Sequence, residues 1–492
     1  MGQEISAGLN AREQRQRYRE KVQQCLDVLE RMLGQQDFET SEPMAGLEIE
    51  MNLVDQDLRP SMTNEAVLEA IDDPFFQSEL ARFNIELNVE PEPLAGDRLH
   101  ALEQTLREHL RAARDKTGDT DIVTIGILPT LTKEHLGRDA LTPTPRYIGL
   151  NDAIMEARGE DLLLDMEGRG GERVATFVDT IAPEAACTSV QCHLQVAPED
   201  FADFWNAAQA IAGVQMAVGA NSPYLFGSQL WAETRIQLFH QATDTRPIEL
   251  RNQGVRPRVW FGERWVTSIF DLFEENVRYF PALIPEVSEE DPVGVLESGT
   301  APALSELKLH NGTVYRWNRP IYDTVDGKPH LRVENRVLPA GPTVADTVAN
   351  AAFYYGLVNA LVGMERPLWS KMSFASAKEN FFAGSRRGFN ANLYWPGRGD
   401  VPVDELVLRQ LLPLADSGLE SWGVATAVRD RYLGIIEERC KAEMNGAAWQ
   451  VRCVDRLQER GANRDEALRR MLHRYIDNMH EGEPVHTWSL PR

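Results

Sequence analysis

The sequence predicts an α+β protein, in which a mainly antiparallel sheet is flanked by helices and followed by a helical C-terminal region. Four segments that lie far apart in the chain alternate apolar and polar residues, which is the period of a strand with one buried face. Elsewhere apolar residues recur at helical spacing, most strongly beyond Pro396. We therefore divide the chain into an N-terminal helix (residues 1–40), a core (41–395) and a helical C-terminal cap (396–492).

The first two alternating segments, residues 46–54 and 83–90, carry carboxylates on their polar faces. Glu48 and Glu50 lie on the first polar face, and Glu86 and Glu90 lie on the second. Strand geometry places alternate residues only about 7 Å apart on one face. Neighbouring acids at that distance repel each other, so the pattern calls for a physical reason.

The other two alternating segments, residues 188–195 and 330–337, add nitrogen donors and one more acid. Their polar faces carry Gln191 and His193 on one segment, and Arg332, Glu334 and Arg336 on the other. We read residues 310–320 as an Asn-Gly turn followed by a strand that forms a hairpin with the last segment through Asp326-Gly327.

If the four polar faces belong to one sheet, five carboxylates meet one imidazole and two guanidinium groups. Such an oxygen-rich set suits Mg²⁺ or Mn²⁺, and Mg²⁺ is commonly held by carboxylates together with substrate phosphates. The pattern therefore predicts a nucleotide-dependent enzyme. Taken singly, each strand also fits an ordinary half-solvated sheet edge, and His193 fits a structural histidine as well as a ligand.

Further helices are predicted from apolar spacing, and residues 121–129 are predicted as a buried strand. Residues 130–147 contain Pro143 and Pro145 and read as a long loop, the kind of segment that often forms a lid. The helices are predicted over residues 10–35, 64–76, 97–115, 199–218, 343–362, 404–414, 424–444 and 464–479.

Composition excludes several classes of protein. The 492 residues include 51 basic and 75 acidic side chains, and the net charge of −24 argues against nucleic acid or an anionic membrane as a partner. Because we find no long apolar run and no leader pattern, we expect a cytoplasmic protein. The five scattered cysteines fit a reducing compartment. A homo-oligomer is one open option.

Five short motifs, in this order, resemble the glutamate–cysteine ligase family, and within it the second family of bacterial carboxylate–amine ligases. The resemblance covers roughly residues 40–365 and gains its specificity from the order of the motifs. The motifs are Gly-Leu-Glu-Ile-Glu at 46–50, Asn-Ile-Glu-Leu-Asn-Val-Glu-Pro at 84–91, Gln-Cys-His at 191–193, Ala-Asn-Ser-Pro-Tyr-Leu-Phe-Gly at 220–227 and Arg-Val-Glu-Asn-Arg at 332–336.

The resemblance implies a glutamine-synthetase-like fold over the core, with a curved sheet that forms a funnel entered by ATP on one side and an amino acid on the other. It implies that ATP phosphorylates a carboxylate, usually the γ-carboxylate of glutamate, and that an amine then displaces the phosphate. Carried over by position, the metal ligands would be Glu48, Glu50, Glu90 and Glu334, with His193 as a further ligand or phosphate contact, and Arg336 at the transferred phosphoryl group. Whether Glu86 or Glu90 points at the metal is open.

Other residues are candidates for binding substrate or nucleotide. Arg235 suits a substrate carboxylate because its guanidinium can donate two parallel hydrogen bonds, although a surface salt bridge fits its position equally. Arg146 and Tyr147 would contact substrate or nucleotide from the predicted loop, or else anchor that loop, and Gln191 would assist at the substrate. The local positive set of Arg316, Arg319, Arg332 and Arg336 would face phosphates or balance the acids.

The sequence thus predicts an ATP- and Mg²⁺-dependent ligase that joins glutamate to cysteine. Three alternatives stay open. The amine or the acid could differ within the same chemistry, the chain could be a catalytically inactive binding or regulatory homologue, or it could be a guanidine-phosphorylating kinase.

Overall fold

The computed structural model of the protein describes residues 11–35, 38–40 and 43–491. Each predicted helix has a counterpart in the structure, but the sequence analysis missed several other helices, among them those at 145–158, 269–279, 374–387 and 446–459. Their bounds are α1 Ala11–Gln35, α2 Asn64–Ile71, α3 Arg98–Arg114, α4 Pro145–Arg158, α5 Phe201–Gly219, α6 Thr234–Ala242, α7 Ile248–Asn252, α8 Ile269–Tyr279, α9 Pro292–Glu297, α10 Ser305–Gly312, α11 Val344–Val362, α12 Phe374–Arg387, α13 Val403–Leu406, α14 Leu412–Ser421, α15 Thr426–Ala442, α16 Gly446–Glu459 and α17 Arg464–Glu481.

The strands include all four alternating segments of the sequence. Only Asp121–Val123 of the predicted strand at 121–129 is extended in a ladder. The strands are β1 Met44–Val54, β2 Phe76–Ser78, β3 Asn84–Pro93, β4 Asp121–Val123, β5 Leu162–Glu167, β6 Arg173–Val178, β7 Val190–Val196, β8 Tyr224–Leu225, β9 Ser228–Gln229, β10 Val259–Trp260, β11 Tyr315–Arg316, β12 Asn318–Val325, β13 Lys328–Asn335, β14 Asn392–Trp395 and β15 Gly399–Pro402.

One curled sheet organises the fold. Within the described residues its strand order is β12-β13-β7-β1-β3-β2, with β4 also pairing with β1, and every pairing is antiparallel. The sheet forms a half-barrel, which confirms the predicted α+β class and the curved antiparallel sheet. The hairpin of β12 and β13 turns at Asp326 and Gly327, whose φ angles of 51° and 76° match the left-handed conformation that an Asp-Gly turn supplies. The predicted turn at residues 310–312 is instead the end of α10.

The apolar face of the sheet packs on helices, which leaves the polar face to line a cavity. Leu47, Ile49 and Met51 of β1 are buried in the main hydrophobic core together with residues of α5 and α11. Tyr355 of α11 donates a hydrogen bond from Oη to the carbonyl of Gly46 and approaches the carbonyl of His193 equally closely, at 3.1 Å in each case. This helix therefore supports the two strands that carry the central acids.

Close helix packing depends on glycine in one place. A Cβ placed on Gly384 of α12 would overlap the carbonyl oxygen of Gly213 on α5, so these helices touch backbone to backbone. The C-terminal helices build a second core with the region around β4, where Tyr475 of α17 donates to the carbonyl of Thr124 at 2.8 Å. None of the helices in residues 11–35 or 43–491 combines the length and apolar character needed to cross a membrane.

Candidate active site

A cavity of about 390 Å³ opens on the polar face of the sheet. Its floor is formed by β1 and β3, and its walls are formed by the start of α4, the turn at Ala182–Ala186, α6 and the segment around β11 and β12. The predicted site residues that line it are Glu48, Glu50, Glu86, Arg146, Tyr147, Gln191, Arg235, Arg319 and Arg336.

Strand register brings the acids together in two groups. His193 of β7 lies opposite Glu334 of β13, and Glu48 of β1 lies opposite Gln191 of β7. On the other side of β1, Glu50 lies directly opposite Glu86 of β3. The first group consists of Glu48, His193 and Glu334, and the second consists of Glu50, Glu79 and Glu86. Within each group, one ligand atom of every residue lies within 4.8 Å of the others.

The first group is balanced by cations of the chain. Arg319 makes a two-pronged ion pair with Glu334, with 2.8 Å between Nη2 and Oε1, and Arg336 Nη1 lies 2.9 Å from the same oxygen. Burial alone would raise the pKa of the Glu334 carboxyl, but Arg319 and Arg336 hold it well below its usual range. At Glu48, burial likewise raises the pKa of the carboxyl, but the His193 imidazole outweighs burial and the pKa of Glu48 is lowered overall. These two carboxyls therefore stay ionised without an added ion.

The second group has no such balance. None of its three acids forms an ion pair within the described residues; Glu50 accepts from the Ser189 amide at 2.6 Å and from Gln191 Nε2 at 2.8 Å. Burial, followed by the charge of Glu79, raises the pKa of Glu50 to about 7. Burial raises the pKa of Glu79, and burial with the neighbouring acids raises that of Glu86 well above its usual range. A bound cation would relieve this repulsion directly.

These donor sets fit a hard divalent cation, because carboxylate oxygens are the ligands that Mg²⁺ and Mn²⁺ prefer. The fit is strongest at Glu50, Glu79 and Glu86, where the protein itself supplies little positive charge. At the first group, His193 Nε2 lies 3.1 Å from Glu48 Oε1 and has no hydrogen-bond partner within the described part of the chain. That buried nitrogen faces the carboxylates and is available to a further group.

The other ring nitrogen of His193 is held by Arg332, whose Nε donates to Nδ1 at 3.1 Å. Because a guanidinium only donates, Nδ1 presents its lone pair, and a neutral ring then carries its proton on Nε2. In this arrangement Nε2 can donate to a carboxylate or phosphate oxygen. Direct ligation of a cation through Nε2 would require Arg332 to leave Nδ1.

Comparison with known proteins adds a decisive observation. The sequence profile of glutamate–cysteine ligase family 2 matches residues 44–473, which is most of the chain. The chain belongs to glutamate–cysteine ligase family 2. No curated protein matches the chain.

Three solved structures are similar to the chain. The glutamate–cysteine ligase of Francisella tularensis, solved in complex with AMP, aligns with a TM-score of 0.56 at 11% identity and covers 91% of both chains. A bifunctional glutathione synthetase from Pasteurella multocida aligns with a TM-score of 0.47 at 12% identity, over 95% of this chain and 55% of that one. The ligase PafA, in complex with the ubiquitin-like protein Pup, aligns with a TM-score of 0.38 at 9% identity, over 89% of this chain and 72% of that one. The first of these similarities supports the fold.

The second acidic group of this family 2 protein differs from the sequence expectation at one position. Glu90 is exposed and lines a separate cavity with Arg98 and Tyr355, so the structure does not bring it to either group. A register shift between Ala45 and Leu47 of β1 sits opposite Glu90 and turns the strand there. The third acid is instead Glu79, which follows the three-residue strand β2; so short a strand shows no alternation in the sequence.

Arg316 and Arg332 also lie outside the cavity. Arg316 is buried elsewhere, where its Nη2 donates to Glu275 at 3.0 Å and its guanidinium lies over the Trp260 ring. Its strand neighbours Tyr315 and Trp317 line the cavity in its place, because successive strand residues point to opposite sides. The predicted phosphate-facing set therefore reduces to Arg319 and Arg336, with Arg332 behind His193.

Two of the candidate substrate residues, Tyr147 and Arg235, lie on helices, not in a loop or on the surface. Arg235 is 2% exposed and pairs with the buried Glu233, with 3.0 Å between Nε and Oε1, so the surface salt bridge considered for it is wrong. Tyr147 lies in the first turn of α4, where the Thr144 side chain accepts from the Tyr147 amide at 3.3 Å and Pro145 is the first helical residue. That Thr-Pro pair is a helix start signal inside the predicted loop.

Proposed function

We propose that the protein is an ATP- and Mg²⁺-dependent ligase that joins a carboxylate of glutamate to an amine through an acyl phosphate, with cysteine as the first candidate amine. Membership of glutamate–cysteine ligase family 2 supports a carboxylate–amine ligase. The shared fold with a glutamate–cysteine ligase solved with AMP supports an adenine nucleotide as the co-substrate.

The observation that carries the proposal is the second acidic group, which lines the same cavity as Arg336. Glu50, Glu79 and Glu86 would hold a divalent cation, as would Glu48 and Glu334 of the first group. Once bound, such ions neutralise the oxygens of a phosphoryl group that is being transferred. A protein that only binds a ligand has no physical need for three such closely spaced acids that repel one another.

The side chains of the chain prepare the site for phosphoryl transfer. Arg336 donates to Gln191 and to Glu334, which fixes its guanidinium at the cavity wall, where it would meet the transferred phosphoryl group. Arg319 is fixed by the same carboxylate. Pre-oriented cations of this kind stabilise developing charge at little reorganisation cost.

The proposed reaction has two steps. A carboxylate oxygen of glutamate takes the terminal phosphoryl group of ATP, which releases ADP and gives the acyl phosphate. The amine nitrogen then attacks the carbonyl carbon, so that a C–N bond forms, the C–O bond to phosphate breaks, phosphate leaves and the nitrogen loses a proton. We also propose that Arg332 positions the His193 ring. Arg146, Tyr147 and Arg235 would contact the substrate.

The test measures phosphate released from ATP and Mg²⁺ with glutamate alone, cysteine alone and both together. We expect release that needs both substrates, and we expect Glu86→Gln to reduce it at least about 100-fold. Glu90→Gln is the matched control, because the same change on the same strand falls outside both acidic groups, and it should leave the rate unchanged. Glutamate-dependent release that ignores cysteine would redirect the search to other amines, and absence of release with any pair of acid and amine would refute the ligase.

A further inference from the structure

The cavity contains polar groups that phosphoryl transfer does not use. Glu184, on the turn Ala182–Ala186, and Tyr315, on β11, both line it. Among the described residues, neither Glu184 Oε2 nor Tyr315 Oη has a hydrogen-bond partner, although both atoms are buried. Two unsatisfied polar atoms that line one cavity are available to hydrogen-bond a ligand.

Packing holds both side chains where they are. The turn that carries Glu184 is otherwise apolar, and its neighbours Pro183 and Ala185 are buried. Tyr315 is 9% exposed, its amide donates to the Arg258 carbonyl at 2.9 Å, and its ring packs edge-on against Phe239 with 5.2 Å between centroids. Neither group can turn to solvent without disturbing this packing.

The charge around Glu184 favours a cationic ligand. Burial and then the nearby Glu79 raise the pKa of Glu184 to about 8, with Arg336 and Arg146 acting in the opposite direction. Within the described residues Glu184 is not part of either group of close metal-ligating atoms. A metal ion is therefore a poor match for it, whereas an ammonium group can donate several hydrogen bonds to single acceptors.

We propose that Glu184 and Tyr315 form the docking site for the ammonium group of the nucleophile, so that the second substrate is an amine that is cationic at neutral pH. The inference rests on the proposed function, because only a ligation has a second substrate. The aromatic walls at Tyr147, Phe239 and Trp317 fit an apolar body behind the charged group. Glu184 and Tyr315 thus determine specificity for the amine, apart from the groups that handle phosphate.

The experiment uses hydroxylamine, which is uncharged near neutral pH and traps an acyl phosphate as a hydroxamate. Ethylamine, which is protonated at neutral pH, serves as the cationic probe and competes with it. With ATP, Mg²⁺ and glutamate present, we expect ethylamine to inhibit hydroxamate formation by the wild type. Glu184→Gln should raise the ethylamine inhibition constant about tenfold or more and Tyr315→Phe severalfold, because each removes a hydrogen-bond acceptor for the charged group.

The controls separate this inference from the proposed function. Hydroxamate formation without ethylamine gives the reference rate of each variant, and its presence also shows that the variant folds. Glu167→Gln changes an exposed acid that lines a different cavity and should alter nothing. Equal ethylamine inhibition in wild type and Glu184→Gln, or no inhibition in the wild type, would overturn the docking site. Absence of hydroxamate from the wild type would overturn the proposed function, and the docking site with it.

Discussion

Replacing Glu79 by Gln should stabilise the metal-free protein and weaken its response to Mg²⁺. The carboxylates of Glu50, Glu79 and Glu86 offer oxygens within 4.8 Å of one another. At an effective dielectric constant of about 20, two unit charges at that distance repel by about 3.5 kcal/mol. Since the pKa of each of these acids is raised, that of Glu50 to about 7, part of this repulsion is already relieved in the wild type, and we expect a realised gain of about 1–3 kcal/mol in the free energy of unfolding.

The same substitution removes one negative ligand from the site that would hold the cation. Ligand charge is a main determinant of affinity for hard cations, so the dissociation constant for Mg²⁺ or Mn²⁺ should rise at least about tenfold. Thermal unfolding in a chelator and then across a Mg²⁺ titration measures both effects. Glu79→Gln should melt higher than wild type in the chelator and shift less on addition of Mg²⁺, whereas Glu90→Gln should follow the wild type. A variant that melts lower in the chelator, or shifts as far as wild type, would refute the reasoning.

Three further predictions concern stability. In a chelator, urea unfolding should show that the free energy of unfolding falls between about pH 5 and pH 8. The reason is that the folded-state pKa values of Glu50 (about 7) and Glu184 (about 8) exceed the usual 4.5, so that folding favours the protonated carboxyls. The Glu50 shift alone corresponds to about 3 kcal/mol. Glu233→Ala should lower the free energy of unfolding by about 3–5 kcal/mol, since the buried Arg235 guanidinium loses its partner. Gly384→Ala should cost about 1–3 kcal/mol by forcing α12 away from α5, as measured by urea unfolding.

Each of these has its own control. Saturating Mg²⁺ should reduce the part of the pH dependence that Glu50 contributes and leave the part of Glu184, which belongs to neither acidic group. In the chelator, stability that rises over the same range would contradict the assigned shifts; the lowered pKa values of Glu48 and Glu334 act below this range. Glu233→Gln keeps a hydrogen-bonding group beside Arg235 and should cost less than Glu233→Ala. Gly434→Ala, inside α15 with open space around it, should be neutral or slightly stabilising. Equal losses at Gly384 and Gly434 would contradict the packing argument.

Strand alternation was the part of the fold that the sequence showed best. The segments at β1, β3, β7 and β13 were predicted with their polar faces, because a side-chain period of two is a local property of the chain. The meeting of Glu48, His193 and Glu334 followed once those faces belonged to one sheet. Their role as ligands stays a prediction.

The errors lie where tertiary structure overrides local pattern. Glu90 continues the alternation of β3, but the register shift opposite it moves the strand away from the acidic groups. The one local sign of that shift is Pro91, directly after Glu90, since proline within a sheet is typical of edges and bulges. Glu79 follows a strand too short to show a period. Arg316 sits on a short strand whose pairing with β10 decides which way it points. The division of the chain into a core and a C-terminal cap stays a prediction.

The most direct test of the ligase follows an oxygen atom. Glutamate labelled with ¹⁸O in its carboxylates is given to the protein with ATP, Mg²⁺ and the amine that supports phosphate release, and the released phosphate is analysed by mass spectrometry. An acyl phosphate requires a carboxylate oxygen to leave with the phosphate, so we predict one ¹⁸O atom in each phosphate released. Phosphate that carries no label would mean that ATP is hydrolysed by water and would contradict the proposed ligation.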